Sequence, residues 1–124
     1  MTTLIYANAY SLFDYSNGAS KSILLLLENW ASAGLNIYAI TSCVSYSMEG
    51  YLHTKEFGEE KANESQSVDQ RISRFKHKGV HHSLIQNEFY KRESLNSASQ
   101  ELIYREAESF FTKAQRHDKN TLKI

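Results

Sequence analysis

The chain has 124 residues and carries 14 basic and 14 acidic side chains, so its formal net charge is zero. A chain of this length is expected to form one domain, here residues 1–124, and a neutral chain has no global field that would attract nucleic acid or an anionic membrane. The single cysteine, Cys43, excludes an internal disulfide framework and fits a reducing, cytoplasmic compartment.

The charged residues are unevenly distributed along the chain. The first 48 residues contain only Asp14, Lys21 and Glu28, and all other charged residues begin at Glu49. A long segment without charge is typical of strands and helices that are buried on more than one face, so the first third of the chain is expected to form the core. The longest aliphatic run, residues 23–27, is far short of the roughly 20 residues that cross a bilayer. We therefore expect no membrane span.

The first predicted element is a strand over residues 4–9, which is short, aliphatic and aromatic and carries no charge. Turn-forming residues follow at 11–18, and a helix begins with Ser20 as its predicted N-cap. Gly34 is expected to end this helix in the left-handed conformation that is common after a C-cap. A second buried strand over residues 37–41 completes a βαβ unit with a right-handed crossover. The helix residues expected to face the sheet recur at helical spacing and are Ile23, Leu26, Leu27, Trp30 and Ala31.

The remaining patterns are weaker. Residues 49–64 can form a polar helix, residues 63–69 resemble a loop, and residues 80–85 predict a third strand. A helix is predicted over residues 98–116, and residues 122–124 can begin a fourth strand. The predicted fold is therefore α/β, a Rossmann-like three-layer domain with a parallel sheet of three or four strands. The last helix has an apolar stripe of Ile103, Ala107, Phe110, Phe111 and Ala114, and Ser97 and Gln100 have the spacing of a capping box.

The loop before the first helix is the candidate site. Parallel sheets bind ligands beyond the carboxyl ends of their strands, and a helix N-terminus offers free amides and partial positive charge to a phosphate or carboxylate. The alternative interpretation is that Gly18 only makes the turn and Ser20 only caps the helix. Because the loop has a single glycine, it is neither a Walker A loop nor a dinucleotide-binding turn. The candidate phosphate-binding residues at the cleft are Asn17, Gly18, Ala19 and Ser20.

In the rest of the chain, the histidines and the cysteine do not have the spacing of a catalytic or metal-binding motif. His81 and His82 are adjacent in a predicted strand, so their side chains point to opposite faces and cannot jointly hold a metal ion. Cys43 is interpreted as a small core residue, because no catalytic partner can be assigned to it. The catalytic residues are therefore unknown at this stage, and no metal and no cofactor is predicted.

Two further groups of residues have more than one interpretation. The basic residues Arg71, Arg74, Lys76, His77 and Lys78 can contact phosphates of a nucleic acid, but acidic residues precede them. We interpret them as a solvated loop and expect no nucleic-acid partner. The aromatic residues of the first loop, Tyr10, Phe13 and Tyr15, either stack on a sugar ring or base or close the top of the sheet.

The order of five segments in the first 42 residues resembles the start of a known enzyme domain. The segments are Leu4-Ile5-Tyr6, Asn17-Gly18-Ala19-Ser20-Lys21-Ser22, Leu24-Leu25-Leu26-Leu27, Ala33-Gly34-Leu35 and Ile37-Tyr38-Ala39-Ile40-Thr41-Ser42. They look like the N-terminal domain of a family 4-like glycosyltransferase of the two-domain GT-B type. Gly79-Val80-His81 also resembles the third strand of that family.

The resemblance implies an acceptor-binding domain whose first loop borders the cleft and approaches the phosphates of a nucleotide sugar. In that family the nucleotide-sugar site and a Glu-x7-Glu motif lie in a second domain, and this sequence contains no such domain. The chain then corresponds to a truncated N-terminal domain that is inactive alone and meets nucleotide sugar and acceptor only together with a second domain. Gly18 aligns with one of two family glycines, and Asn17 or Ala19 replaces the other.

Three hypotheses about function follow. The first is a glycosyltransferase-like, acceptor-side domain that takes part in sugar transfer from a nucleotide sugar. The second is a non-catalytic α/β module that binds a partner protein or another copy of itself through surfaces that missing strands would cover. The third is a binder of a small phosphorylated ligand. The sequence identifies neither the sugar donor nor the acceptor.

Overall fold

The computed structural model describes residues 2–62, 71–91, 97–117 and 120–123. The predicted loop over residues 63–69 and the last residue lie outside the described residues. Strands and helices alternate along most of the described chain. They are β1 (Thr2–Ala7), α1 (Gly18–Ser32), β2 (Asn36–Ser42), α2 (Met48–Ala62), β3 (Ile72–His77), β4 (Val80–Ile85), α3 (Ser97–His117) and β5 (Asn120–Lys123).

The described strands form one five-stranded sheet in the order β3-β4-β2-β1-β5. β1 pairs in parallel with β2 and β5, and β2 pairs in parallel with β4. β3 pairs antiparallel with β4 and forms one edge. The α/β class is therefore confirmed, but the prediction of a purely parallel sheet was wrong. The sheet is mixed because the chain reverses directly from β3 into β4 instead of crossing over through a helix.

The β3–β4 hairpin explains why the basic residues before β4 do not form a loop. Lys78 and Gly79, the two turn residues, have φ values of 48° and 82°, and positive φ at both positions is typical of the tight turn that suits a twisted hairpin. Along β3, Phe75 is buried and Lys76 is exposed, as alternation in a strand requires. The interpretation of this segment as a solvated loop was wrong, because its charges occupy one edge strand.

Helix α1 begins earlier and buries a slightly different face than the sequence predicts. Asn17, not Ser20, is its N-cap: the Asn17 side chain accepts a hydrogen bond from the backbone N–H of Ala19. At the other end, Gly34 has φ of 100°, and the N–H of Leu35 donates to the carbonyl of Trp30 at 3.1 Å. These features form the predicted left-handed C-terminal motif. The packed α1 residues are Ile23, Leu24, Leu27, Trp30 and Ala31, so Leu24 replaces the predicted Leu26.

Helix α2 lies close to the sheet along a face of small residues. A Cβ atom added to Gly58 would lie 2.5 Å from Leu84 Cδ2. One turn earlier, Thr54 is fully buried, and its hydroxyl donates to the Gly50 carbonyl at 2.8 Å and shares a 2.7 Å hydrogen bond with the Ser11 hydroxyl. The buried face of this helix consists of small and hydroxyl side chains. Because these do not form an apolar pattern in the sequence, the helix looks polar although one of its faces is buried.

The helices cover both faces of the sheet. On one face, α1 packs on Leu4, Ile37 and Val80, and α2 packs beside it. On the other face, Ile5 and Ile40 pack against α3. The predicted α3 stripe is confirmed for four of its five residues, since Ile103, Ala107, Phe110 and Phe111 contact this second core. None of the described helices is long and apolar enough to cross a membrane.

Candidate functional site

The carboxyl ends of β1, β2 and β4 meet at one edge of the sheet, which we call the carboxyl edge. The loops over residues 8–17, 43–47 and 86–91 follow these strands there. In open α/β sheets, ligands bind in the crevice outside the carboxyl ends of parallel strands. The residues of these three loops, with the first turns of α1 and α2, are therefore the candidate site.

A buried carboxylate holds the first two of these loops together. Asp14 is only 1% exposed. Its Oδ1 accepts hydrogen bonds from the backbone N–H of Ser16 at 3.0 Å and from the Ser16 hydroxyl at 2.5 Å, and its Oδ2 accepts from the backbone N–H of Tyr46 at 2.9 Å. A Cβ atom added to Gly50 would lie 2.2 Å from Asp14 Oδ1, so this carboxylate packs directly on the first turn of α2. The sequence analysis did not identify Asp14 as a site residue.

Beside Asp14 lies a cleft of about 310 Å³ whose lining residues are Tyr15, Ser16, Glu49, Gly50 and His53. The rings of Tyr15 and His53 are in contact, with centroids 4.3 Å apart, and Lys21 Nζ lies 6.0 Å from the Tyr15 ring centroid. His53 Nε2 is buried and has no hydrogen-bond partner in the described part of the chain. The cleft therefore combines an aromatic wall with a carboxylate, a hydroxyl and an imidazole.

The four predicted site residues lie together at the N-terminus of α1, next to Ser16. Asn17 caps the helix, Gly18 and Ala19 are exposed in its first turn, and Ser20 is buried. The prediction that Ser20 is the N-cap was wrong, because the helix already begins at Gly18. The backbone N–H groups of Gly18 and Ser20 have no acceptor among the described residues.

The fold does not require a glycine at position 18. Within the described residues the glycines with positive φ are Gly34 and Gly79, so Gly18 has a backbone conformation that other residues adopt. A Cβ atom added to Gly18 would meet nothing within 4 Å. The alternative that Gly18 serves only to make the turn therefore has no support in the backbone geometry.

The paired histidines of β4 face opposite sides of the sheet, as predicted. His81 stacks on Tyr38, with centroids 4.8 Å apart, on the α3 face. His82 is buried between Phe13 and Phe75, at 4.9 and 5.1 Å, and neither of its ring nitrogens has a partner in the described structure. Burial, with smaller contributions from the other nearby histidines, lowers the pKa of His82 to about 3. His82 is thus a neutral core residue and not a base facing the cleft.

Cys43 is a packed residue rather than a nucleophile. Its side chain is fully buried, and its thiol lies 3.6 Å from Gln86 Oε1. Burial raises the pKa of Cys43 to about 12, although a hydrogen bond from the Asn87 backbone to the thiol opposes that shift. A thiol with this pKa stays protonated at neutral pH and cannot act as a thiolate.

The three aromatic residues of the first loop have different environments. Phe13 is fully buried in the core, so it closes the top of the sheet. Tyr15 is 53% exposed and lines the cleft. Tyr10 is half-buried and stacks on Tyr46. One member therefore belongs to the core, and two lie at the carboxyl edge.

Among the described residues, no group of three or more His, Cys, Asp or Glu side chains is arranged to hold a metal ion. In comparisons with known proteins, no family model, curated protein or solved structure matches the chain.

Proposed function

We propose that this chain is a Rossmann-like ligand-binding domain that forms the acceptor side of a GT-B type glycosyltransferase. In this proposal it takes part in the transfer of a sugar from a nucleotide sugar to an acceptor and is inactive without a second domain. The N-terminus of α1 borders the cleft, and the exposed amides of its first turn, from Asn17 to Ala19, approach the phosphates.

The order of the parallel strands is the observation that carries this proposal. Numbered along the chain, the parallel strands are β1, β2, β4 and β5, and their order in the sheet is third, second, first, fourth. The chain first builds the sheet outward on one side of β1 and then returns to its other side. Helices on both faces and a reversal of this kind next to the first strand are features of doubly wound sheets, whose ligands bind at that point.

The charges and hydrogen bonds at the α1 N-terminus favour the binding of an anionic group there. No acidic side chain lies in the first turn of α1, and the Gly18 N–H has no acceptor among the described residues. The partial positive charge of the helix end is therefore not neutralised within its own first turn. Since Gly18 leaves the surrounding space open, a phosphate could approach the backbone closely.

Calorimetric titration of the full chain tests this proposal. We expect UDP- or GDP-sugars to bind, and the substitution Ala19→Asp to abolish binding, because a carboxylate in the first turn repels a phosphate while it stabilises the helix dipole. Ala98→Asp is the matched control, since Ala98 is also exposed at the second position of a helix, α3. It should leave binding unchanged.

If no nucleotide sugar binds but inorganic phosphate or a sugar phosphate does, and Ala19→Asp removes that binding, the chain is a binder of small phosphorylated ligands instead. If none of these anions binds, both the transferase proposal and this alternative are contradicted.

A protein-interaction module is a second candidate, and exposed leucines favour it. Leu25 on α1 and Leu52 on α2 are 59% and 55% exposed, and Leu26 is also exposed. These helices cover the same face of the sheet. Self-association measured by light scattering, and its loss in Leu25→Lys but not in Lys21→Ala, would support this candidate. A monomer at all concentrations would contradict self-association.

A further inference from the structure

Two tyrosines form a stacked pair on the surface of the carboxyl edge. The ring centroids of Tyr10 and Tyr46 are 4.7 Å apart, and their planes meet at 15°. Tyr46 is nevertheless 63% exposed. An aromatic ring that is stacked on one side and open to solvent on the other presents a flat binding surface.

The loops hold this pair in place through the backbone as well as through the rings. Tyr10 forms a parallel bridge with Val44, and its N–H donates to Asn8 Oδ1 at 3.1 Å. The N–H of Tyr46 donates to the buried carboxylate of Asp14. The tyrosine side chain has few rotatable bonds, so a pair anchored in this way offers contact area with little further loss of entropy.

The surroundings of the pair match an uncharged polyhydroxyl ligand. The Asp14 that anchors Tyr46 also binds Ser16, so the pair and the cleft are adjoining parts of one loop assembly. The cleft carries the exposed carboxylate of Glu49. Asn8, whose Oδ1 accepts the hydrogen bond from the Tyr10 N–H, is exposed beside the pair. Carboxylate and amide oxygens accept hydrogen bonds from hydroxyl groups.

We propose that the Tyr10–Tyr46 pair is a carbohydrate-binding platform on which the apolar C–H face of a pyranose ring stacks. This inference names the ligand class of the proposed function, and it rests on that function only for the location of ligands at the carboxyl edge. It requires neither sugar transfer nor phosphate binding at the α1 N-terminus. The Asn17–Ser20 turn and the tyrosine pair would therefore bind separate parts of a ligand, and the two proposals can be contradicted independently.

Saturation-transfer difference NMR on the full chain tests the platform. The ligands are methyl glucopyranoside and methyl galactopyranoside, with sorbitol as a ringless polyol and adenosine and uridine as ligands that carry a base. We expect saturation transfer to the ring C–H protons of at least one pyranoside, stronger than transfer to sorbitol. Tyr46→Ala should weaken pyranoside binding by at least about tenfold, the order of loss seen when a ring that stacks on a nucleic-acid base is removed, and Tyr46→Phe should retain binding.

Tyr104→Ala is the matched control, because Tyr104 is 69% exposed on α3 and lies outside the carboxyl edge. Circular dichroism establishes that each variant is folded, and Tyr10→Leu provides a second disruption of the stack. The proposal is overturned if no pyranoside shows transfer, if Tyr46→Ala and Tyr104→Ala have equal effects, or if the nucleosides bind more strongly than the pyranosides. Loss of nucleotide-sugar binding in Ala19→Asp with pyranoside binding retained would confirm that the two sites are separate.

Discussion

The N-termini of α1 and α2 lie side by side at the carboxyl edge, but they differ in how their polar groups are satisfied. At α2 the hydroxyl of Ser47 accepts from the N–H of Gly50 at 3.1 Å, and the carboxylates of Asp14 and Glu49 lie at or within the first turn. At α1 the side-chain cap in the described part of the chain is Asn17, and the first turn contains no acidic residue.

Under the proposed function, this difference separates a helix end with a structural role from one that binds a ligand. The negative charge that a helix N-terminus favours is supplied from within the chain at α2. The first turn of α1 supplies none of its own, although Asp14 accepts hydrogen bonds from Ser16, the residue before the N-cap, and the Ser16 and Ser47 hydroxyls join the two ends through a 3.0 Å hydrogen bond. An anionic ligand at the carboxyl edge is therefore expected at α1 and not at α2.

The largest expected effect comes from filling the contact between α2 and Asp14. In Gly50→Ala the new Cβ atom would lie 2.2 Å from Asp14 Oδ1, so the carboxylate must move and lose hydrogen bonds. Alanine normally stabilises a helix relative to glycine, but here we expect the free energy of unfolding to fall by about 2–4 kcal/mol. Urea unfolding followed by Trp30 fluorescence measures this change.

A double substitution shows whether Asp14 is the cause. Combined with Asp14→Ala, Gly50→Ala should have a much smaller effect than it has alone, with a coupling of about 1–3 kcal/mol. Gly18→Ala is the control, since its new Cβ would meet nothing within 4 Å. Additive effects of Gly50→Ala and Asp14→Ala would contradict the structural role given to this carboxylate.

An effect of comparable size is a loss of stability in acid that begins in the core around His82. His82 packs on Phe13, the residue before Asp14, and its pKa is about 3 in the folded chain, against an ordinary value of 6.5. As the pH falls, His82 is therefore protonated at a higher pH in the unfolded chain than in the folded chain. The stabilisation that the neutral imidazole allows is complete above pH 6.5 and declines as the pH falls toward 3, at about 1.4 kcal/mol per pH unit.

The variant His82→Leu separates this group from the other titrating residues. It removes the buried imidazole, whose ring nitrogens have no partner in the described structure, so its stability should depend less steeply on pH between 6.5 and 4. The difference between the two urea-unfolding curves, measured across that range, gives the contribution of His82. Parallel curves would mean that His82 is protonated or solvated in the folded chain.

The sequence predicted the elements that have strong local signals. Gly34 and strand β2 were correctly placed, because a left-handed glycine after a helix and a charge-free apolar run are local signals. Strand β1 was identified by the same signal, but it spans Thr2–Ala7 and so begins and ends two residues earlier than the predicted 4–9. β3 was missed because its charges suggested a loop, although Lys78–Gly79 was available as a turn signal before β4.

The candidate site was only partly predictable for a related reason. Asp14 acts on Tyr46 and Gly50, which are more than thirty residues away, and no local pattern specifies that contact. An isolated aspartate in a charge-free segment was the only available hint. The α1 boundary was misplaced because Ser20 and Asn17 are both good N-caps, and the contacts of the loop decide between them.

Substituting the two N-cap residues, Ser47 of α2 and Asn17 of α1, compares how much each cap contributes to stability. Ser47→Ala should lower the free energy of unfolding by about 1–2 kcal/mol, because the Ser47 hydroxyl contacts both the Gly50 N–H and the Ser16 hydroxyl. Asn17→Ala should lower it by about 0.5–1 kcal/mol, because Asn17 holds a single amide at an exposed end. Thermal or urea unfolding measures both, and a larger effect for Asn17→Ala would reverse the proposed contrast.

The smallest effect on stability is expected for a substitution at Gly18. There we expect a change in ligand binding rather than in the free energy of unfolding. Gly18→Ala places a methyl group in open space and improves helix propensity, so the free energy of unfolding should stay the same or rise by up to about 0.5 kcal/mol. Nucleotide-sugar binding should weaken, because the methyl group occupies the space through which a phosphate reaches the backbone.

Gly34→Ala is the opposite control: its φ of 100° makes alanine destabilising by about 1 kcal/mol, while binding is unchanged. If Gly18→Ala destabilises the chain by that amount, the α1 end is not open, and if it leaves binding intact, the phosphate does not approach the backbone at Gly18.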